Sequence, residues 1–448
     1  MRHWCAVIIA LAALVLDPRP ATPQPAGQDV DARVERLVAR IEERRLREIV
    51  TRLAGFGTRN TLSDATSATR GIGAARQWIL DELRRSPRLQ VSFDTHQVPK
   101  DGRITRPTEL RNVVALLPGR SARRIYITAH YDSLNLVDGG QLRGITRAPD
   151  QPAPPDAQLN PDQDYNVVAP GANDNGSGTA LTMELARVFA DSDLEFEATL
   201  AFVLWAGEEQ GLVGSRLHAE RLAADNVEVT AVFNNDIVGN SRGGAGVADG
   251  ESVRVYSEGP EDSPSRALAR YVQQTAALYV PSHRVRLMAR LDRFGRSSDH
   301  VSFNRQGFPA VVFREANENF GMQHADTDTI DGVDFRYLAW NARVNGAGAA
   351  ILALAPPAPR VTNDRNQPLI GRQPSGYDAN LRWQAVPGAV AYRVYWRDAW
   401  ANDWQHSRLT TNGTSFIVPN MSIDDYVFGV AAVGANGLES LITAYVPR

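Results

Sequence analysis

Thr199-Leu200-Ala201-Phe202-Val203-Leu204-Trp205-Ala206-Gly207-Glu208-Glu209-Gln210-Gly211 carries an apolar segment straight into two adjacent carboxylates. Four more short apolar runs have the same buried-strand character, at 125–129, 230–233, 253–256 and 310–313. Between and after them, helical periodicity marks 178–190, 212–222, 264–278 and 333–354. That alternation predicts an α/β domain, with a largely parallel central sheet and helices on both faces. Working residues in such sheets gather beyond the carboxyl ends of the strands. Five motifs fall where a strand pattern gives way to a loop: His130-Tyr131-Asp132-Ser133, Gly171-Ala172-Asn173-Asp174-Asn175-Gly176-Ser177-Gly178, Glu208-Glu209, Asn235-Asp236, and the segment from His324 to Thr329.

The 448 residues are 43% hydrophobic and 22% charged, an ordinary globular composition, and the net charge of −3 argues against a nucleic-acid or anionic-membrane surface. One lysine, Lys100, stands among many arginines. Residues 1–26 open with Arg2 and His3, continue through an apolar run at 4–16 and end Pro- and Ala-rich, the pattern of a secretory signal. The run is too short to span a bilayer. The chain is therefore expected to be secreted or periplasmic, with no membrane contact after signal removal. Cys5, the one cysteine, lies inside that segment. Its removal leaves no disulfide, thiolate metal site or cysteine nucleophile.

A boundary falls at Ala355-Pro356-Pro357-Ala358-Pro359, where the pattern changes to period two. Short strands at 381–383, 391–396, 415–418 and 426–433, separated by polar turns, suggest a β-sandwich over residues 356–448. Through Trp383, the Tyr392-Arg393-Val394-Tyr395 strand and the Asp425-Tyr426 pair, this segment resembles a fibronectin type III domain. Residues 27–355 are left as the catalytic domain.

Hydrolases hold hard or borderline cations with carboxylate oxygen and imidazole nitrogen, and both are offered here without competing sulfur. A paired site needs one carboxylate between the ions and terminal ligands on each. Asp174, in a glycine-tightened loop, can be approached from two sides and would be the bridge. His130 and Asp236 would complete one ion, Glu209 and His324 the other. Asp132, two residues from His130, is placed to accept its second N–H.

These motifs, in this order, resemble the bacterial leucyl aminopeptidase and aminopeptidase Y family of two-zinc exopeptidases, which also contains glutamate carboxypeptidases and glutaminyl cyclases. The resemblance covers roughly residues 70 to 355. It implies two zinc ions, Asp174 as bridge, His130, Asp236, Glu209 and His324 as terminal ligands, and Glu208 as general base. It also implies a cis peptide after Asp174, and a supporting role near the pocket for Asp299 and His300. Two cations roughly 3.5–4 Å apart would share a water and polarise the substrate carbonyl. Glu208 would then take the water's proton and pass it to the leaving amine. Glu208 and Glu209 are expected to diverge as neighbours in extended backbone do. No Gly-x-Ser-x-Gly elbow supports a serine nucleophile.

One departure from the family stands out. Several members place a tyrosine before the last histidine or before the Ser-Asp-His segment, where this chain has Gln323 and Gly295-Arg296-Ser297. Arg293, Arg296 and Gln323 are the candidate oxyanion or substrate contacts, with Tyr256 or the metals alone as alternatives. An aminopeptidase would leave Glu208 and Asp236 to meet an α-ammonium, whereas a carboxypeptidase or dipeptidase would use Arg293, Arg296 and Arg314 for a terminal carboxylate. Release of N-terminal residues from a peptide or protein substrate is the favoured expectation. Glutaminyl cyclisation, typically with one zinc, and a non-catalytic binding protein on the same scaffold are the readings from other classes. The insertion at 134–170 would shape or cover the pocket. The C-terminal domain would contact a polymer or cell surface, or space the enzyme.

Overall fold

The computed structural model describes residues 30–136 and 164–446. The segment read as a secretory signal, and the middle of the 134–170 insertion, lie outside the described residues. Along the chain come α1 (Ala32–Ala39), α2 (Glu43–Ala54), α3 (Gly71–Leu83), β1 (Gln90–Val98), β2 (Thr108–Leu117), β3 (Ser121–His130), α4 (Gly176–Ala190), β4 (Ala198–Trp205), α5 (Val213–Ala224), β5 (Val229–Asn235), β6 (Ser252–Ser257), α6 (Pro264–Tyr279), β7 (Arg284–Met288), α7 (His300–Asn304), β8 (Ala310–Glu315) and α8 (Phe335–Leu354). The eight strands form one sheet in the order β1-β2-β4-β3-β5-β8-β6-β7. Its four middle strands, β4, β3, β5 and β8, run parallel, as the strand–helix alternation predicts. Antiparallel pairings appear on either side, where β1 and β2 form a hairpin and β6 returns beside β8.

Side chains alternate across β4 and divide the core. Leu200, Phe202 and Leu204 join the main apolar cluster with α2, α4 and α8. Ala201, Val203 and Trp205 face the other way, onto Ala219 and Leu222 of α5 and Phe303 of α7. Burial on both faces explains why these strands read as continuous apolar runs rather than alternating ones. Helix starts shift where caps compete. The Asp334 carboxylate accepts from the Tyr337 N–H at 3.1 Å, so α8 begins at Phe335 rather than at 333. Asn175 caps α4 in the same way, through Gly178 N–H at 3.0 Å.

After Ala355 the chain forms β9 (Ile370–Gly371), β10 (Ala379–Arg382), β11 (Ala389–Asp398), β12 (His406–Thr410), β13 (Ser415–Val418), β14 (Tyr426–Gly434) and β15 (Thr443–Ala444). They make a three-stranded sheet, β13-β10-β9, and a four-stranded sheet, β12-β11-β14-β15, both antiparallel. Trp383, Tyr392, Val394, Phe428 and Val430 fill the core between them. This part is tied to the α/β part by Arg397, which donates to Asp262 at 2.5 Å, and by Asn436, which donates to the Leu354 carbonyl at 3.1 Å. Leu438 and Leu441 belong to the main apolar cluster itself. No helix among the described residues is long and apolar enough to cross a membrane.

Candidate metal centre

The motif residues converge at the carboxyl edge of the parallel strands. β3 ends at His130, opposite Trp205 at the end of β4. The chain leaves β4 through Gly207, whose φ of 74° turns the backbone and presents Glu208 and Glu209 from a turn. Their divergence therefore comes from this left-handed glycine and not from an extended strand, a correction to the sequence expectation. A Cβ at Gly207 would also stand 2.7 Å from Leu110 Cδ1. Asp236 follows β5, its N–H donating to the Phe313 carbonyl at 3.2 Å, and no helix follows for it to cap. Asp174 precedes α4, its peptide bond to Asn175 is cis, and its own N–H and that of Asn173 donate to the Asp328 carboxylate at 2.8 and 2.9 Å.

The donors gather around Asp174, and His130 also comes within 4.8 Å of Glu209. His130 Nε2 lies 3.4 Å from Asp174 Oδ1 and 3.7 Å from Asp236 Oδ1. His324 Nε2 lies 3.1 Å from Asp174 Oδ2 and 3.3 Å from Glu209 Oε2. Asp174 thus turns one oxygen toward each histidine. Glu208 has a carboxylate oxygen within 4.8 Å of donor atoms of His130 and Asp236. The Nδ1 of His130 faces Asp132, 3.4 Å from its carboxylate and 3.2 Å from its carbonyl, which leaves Nε2 to point into the site.

Electrostatics supply a fit test for a cation. Burial pushes Glu208 and Glu209 well above the usual carboxylate range, and the Asp174 and Glu208 charges add to the rise at Glu209. At Asp174 burial acts in the same sense, but hydrogen bonding to His130 and His324 outweighs it and holds the group low. His130 is raised despite burial, through the Glu208 charge and its contacts with Asp132, Asp174 and Asp236. Glu209 Oε1 is buried with no hydrogen-bond partner, an acceptor left unsatisfied at the centre of the cluster. So many carboxylates cannot all be ionised in so dry a site without compensating cations. Oxygen and imidazole donors, an orphaned acceptor and no sulfur fit zinc.

The cleft in front of this cluster has a volume of about 620 Å³. Leu134, Leu136, Leu212, Phe294 and Phe320 give it an apolar rim, so the described near end of the 134–170 insertion does reach the pocket. Arg293, Arg296 and Gln323 also line it. They form a network around buried Glu318: Arg293 donates to it at 2.5 Å, Gln323 at 3.1 Å, and Arg296 donates to Gln323 at 2.6 Å. Two alternatives named from sequence are displaced. Arg314 is fully buried, 3.0 Å from Asp236 Oδ1 and bonded to Asp292 at 2.9 and 3.1 Å, so it neutralises ligand charge and cannot greet a substrate carboxylate. Tyr256 is buried on β6 with its hydroxyl accepting from Arg254 at 2.8 Å, outside the residues that line the cleft. His300 bonds the Leu291 carbonyl through Nε2 at 2.9 Å, a support role. Asp299, buried beside it, is pushed up to about 7 by burial. Sequence reasoning missed Arg59 and Thr61, both buried and bonded to the ligand loops.

The profile of peptidase family M28 matches residues 112–347, a span that holds all five candidate ligands. The chain belongs to peptidase family M28. Over 96% of its length it is 36% identical to a Pyricularia oryzae protein named probable zinc metalloprotease, of which it covers 88%. A Leptosphaeria maculans protein of the same description is 35% identical, with 91% of this chain and 95% of that one covered. Among solved structures, the LapA aminopeptidase of Legionella pneumophila superposes with a TM-score of 0.52 at 22% identity, over 73% of this chain and 78% of that one. For the aminopeptidase of Aneurinibacillus sp. strain AM-1 the values are 0.52 and 15%, over 71% and 96%. For the Porphyromonas gingivalis glutaminyl cyclase they are 0.52 and 19%, over 69% and 97%. At such identities the likeness is one of fold. Membership of M28 makes the chain a zinc-dependent metallopeptidase acting on peptide or protein substrates.

Proposed function

We propose that this M28 enzyme is a secreted two-zinc exopeptidase that releases N-terminal residues. The observation that carries the reading is the opposed orientation of the two Asp174 oxygens, one toward His130 and Asp236, the other toward His324 and Glu209. Those five residues would hold the ions. Bound there, zinc supplies Lewis acidity toward a peptide carbonyl and a lowered pKa for water. Glu208 takes a proton from the attacking water at its carboxylate and delivers it to the leaving nitrogen. Its carboxylate faces the cleft within 4.8 Å of donor atoms of His130 and Asp236, close enough to serve a water held there. Asp132 holds the His130 ring, and Arg314 offsets the Asp236 charge.

Choice of the amino end is supported by the state of the arginines. Arg293 is committed to Glu318 and Arg314 to Asp292 and Asp236, which leaves Arg296, bonded to the neutral Gln323 amide and 3.9 Å from Glu318, as the one of the three named arginines still open to a terminal carboxylate. Glu208, facing the same cleft, is available to an α-ammonium. Secretion is supported by the basic, apolar and Pro-rich succession of residues 1–26. A division at residues 27–355 and 356–448, the latter fibronectin type III-like, is supported by the two antiparallel sheets and their separate core. That domain has no catalytic motif and serves attachment to a polymer or cell surface, or spacing.

Purified enzyme assayed on amino-acyl, carboxy-terminal and N-terminal glutaminyl substrates, with chelation and zinc add-back, tests this. Zinc-restored release from amino-acyl substrates is expected. Activity confined to peptides with a free carboxyl end, or to glutaminyl cyclisation, would replace the aminopeptidase reading with the corresponding alternative.

A further inference from the structure

Loops usually run over a protein's surface, because buried backbone groups must all find partners. Residues 58–63, between α2 and α3, are buried throughout, Thr61 being the most exposed at 5%. This loop carries no metal ligand, yet its donors and acceptors reach three ligand-bearing segments.

Arg59 is wholly enclosed. Its Nε donates to the Tyr131 carbonyl at 2.7 Å, and its terminal nitrogens donate to the Pro170 and Gly171 carbonyls at 2.5 and 2.8 Å. One guanidinium thereby fixes the segment after His130 against the segment that leads to Asp174, closing the neck of the 134–170 excursion. Thr61 reaches the third segment. Its Oγ1 accepts from the Gly207 N–H at 2.9 Å and donates to Asp132 Oδ2 at 3.0 Å, and that same oxygen accepts from the Glu209 N–H at 3.3 Å. The residues on both sides of Glu208 are therefore tied to the carboxylate that backs His130. A planar five-donor group suits the first task and a donor–acceptor hydroxyl the second.

We propose that the loop of residues 58–63 is a positioning element of the hydrolytic centre: Thr61 sets Glu208 relative to the Asp132 and His130 pair, and Arg59 sets His130 relative to Asp174. The inference rests on the reading of Glu208 as general base and of His130 and Asp174 as ligands. Both residues act through the groups they hold.

Thr61→Val removes the hydroxyl with little change of shape, and Thr61→Ser restores it. Arg59→Lys keeps the charge but cannot span three carbonyls. Each variant is measured for kcat and KM separately with zinc restored, for zinc affinity by competition with a chelator, and for melting temperature. Thr61→Val should lower kcat about 10- to 100-fold with KM within about threefold of the parent, and Thr61→Ser should recover most of the loss. Arg59→Lys should weaken zinc binding about 10- to 100-fold in protein that remains folded. Parental kcat in Thr61→Val overturns the Thr61 role, as does an equal loss in Thr61→Val and Thr61→Ser that tracks only the melting temperature. Parental zinc affinity in Arg59→Lys overturns the Arg59 role. Should Thr61→Val fail to fold, Thr61→Ala takes its place, with the same kcat outcomes and Thr61→Ser again as the rescue. Should Arg59→Lys fail to fold, Arg59→Gln, whose amide can still donate to the Tyr131 carbonyl but cannot also reach those of Pro170 and Gly171, takes its place, with the same two zinc outcomes. Glu208→Gln, assayed alongside, separates the two levels: a near-parental rate there removes the general-base reading itself, whatever the loop variants show.

Discussion

At the residue scale the chemistry turns on charge that is crowded and then divided. Asp174 faces both histidines, and Glu208 sits close to the site without a place between them. Glu208→Gln is expected to retain zinc and lose about 10²- to 10⁴-fold in kcat, whereas Asp174→Ala should lose zinc and turnover together; metal analysis beside steady-state kinetics distinguishes the two. Two neighbouring carboxylates carry a pH prediction. Burial alone would raise Asp292 and Glu318, but Arg314 and Arg293 act on the first, and Arg293, Arg314 and Arg254 on the second, to hold each at about 2. Depressed values mean stabilisation that is full above the ordinary carboxylate range of about 4 and is lost as pH falls from there toward 2. Denaturant midpoints of metal-free enzyme should therefore drop over that window, and an Arg293→Met variant should show a shallower drop. An identical acid profile in the variant would show that the pairing contributes nothing. That these residues converge was legible in the sequence, because His, Asp and Glu at strand ends are rare in combination. Arg314 was misjudged because its partner Asp292 lies 22 positions earlier in the chain, a pairing only the fold creates. Thr61 acts through a single hydroxyl and backbone amides, for which no pattern of residue types exists.

At the scale of elements, the parallel strands and their following helices were readable because burial on both faces leaves long apolar runs. β1 and β7 were not, since they lie at the sheet's two edges, expose alternate side chains and mix charge with apolar residues, whereas the mostly buried β2, with its apolar run at 113–117, was legible and went unread. The charged α1 and α2 were legible but went unread: each carries one apolar stripe at helical spacing, Val34 with Leu37 and Val38, and Leu46 with Ile49, Val50 and Leu53, on an otherwise charged surface. Close packing between elements sets the ligand loops. A Cβ at Gly178, in the first turn of α4, would collide with the Asn235 carbonyl at the end of β5, one residue before Asp236. Gly178→Ala should therefore destabilise the fold by roughly 1–3 kcal/mol and weaken zinc binding at the same time. Chemical denaturation with chelator competition measures both, and a parental result in each would mean that α4 and β5 are not held in this register.

At the scale of the molecule, the C-terminal sheets are joined to the α/β part by an apolar seam as well as by polar contacts. Leu438 and Leu441 are buried in the same cluster as the helices of the peptidase, and Arg397 reaches Asp262. The period-two pattern announced the two sheets but gave no sign of this docking, because surface leucines in one unit look alike whether or not a neighbour covers them. Leu441→Ala should cost about 2–3 kcal/mol and keep a single thermal transition, followed by calorimetry; two separate transitions in the parent enzyme would mean that the seam couples nothing. The whole arrangement places the peptidase cleft at one edge of the sheet with its charge balanced around Asp174. Anomalous diffraction at the zinc edge from crystals of the zinc-loaded enzyme tests that claim most directly. Two peaks are predicted, one on each side of the Asp174 carboxylate, the first beside His130 and Asp236 and the second beside Glu209 and His324. A single peak in fully active enzyme, or peaks away from Asp174, would contradict it.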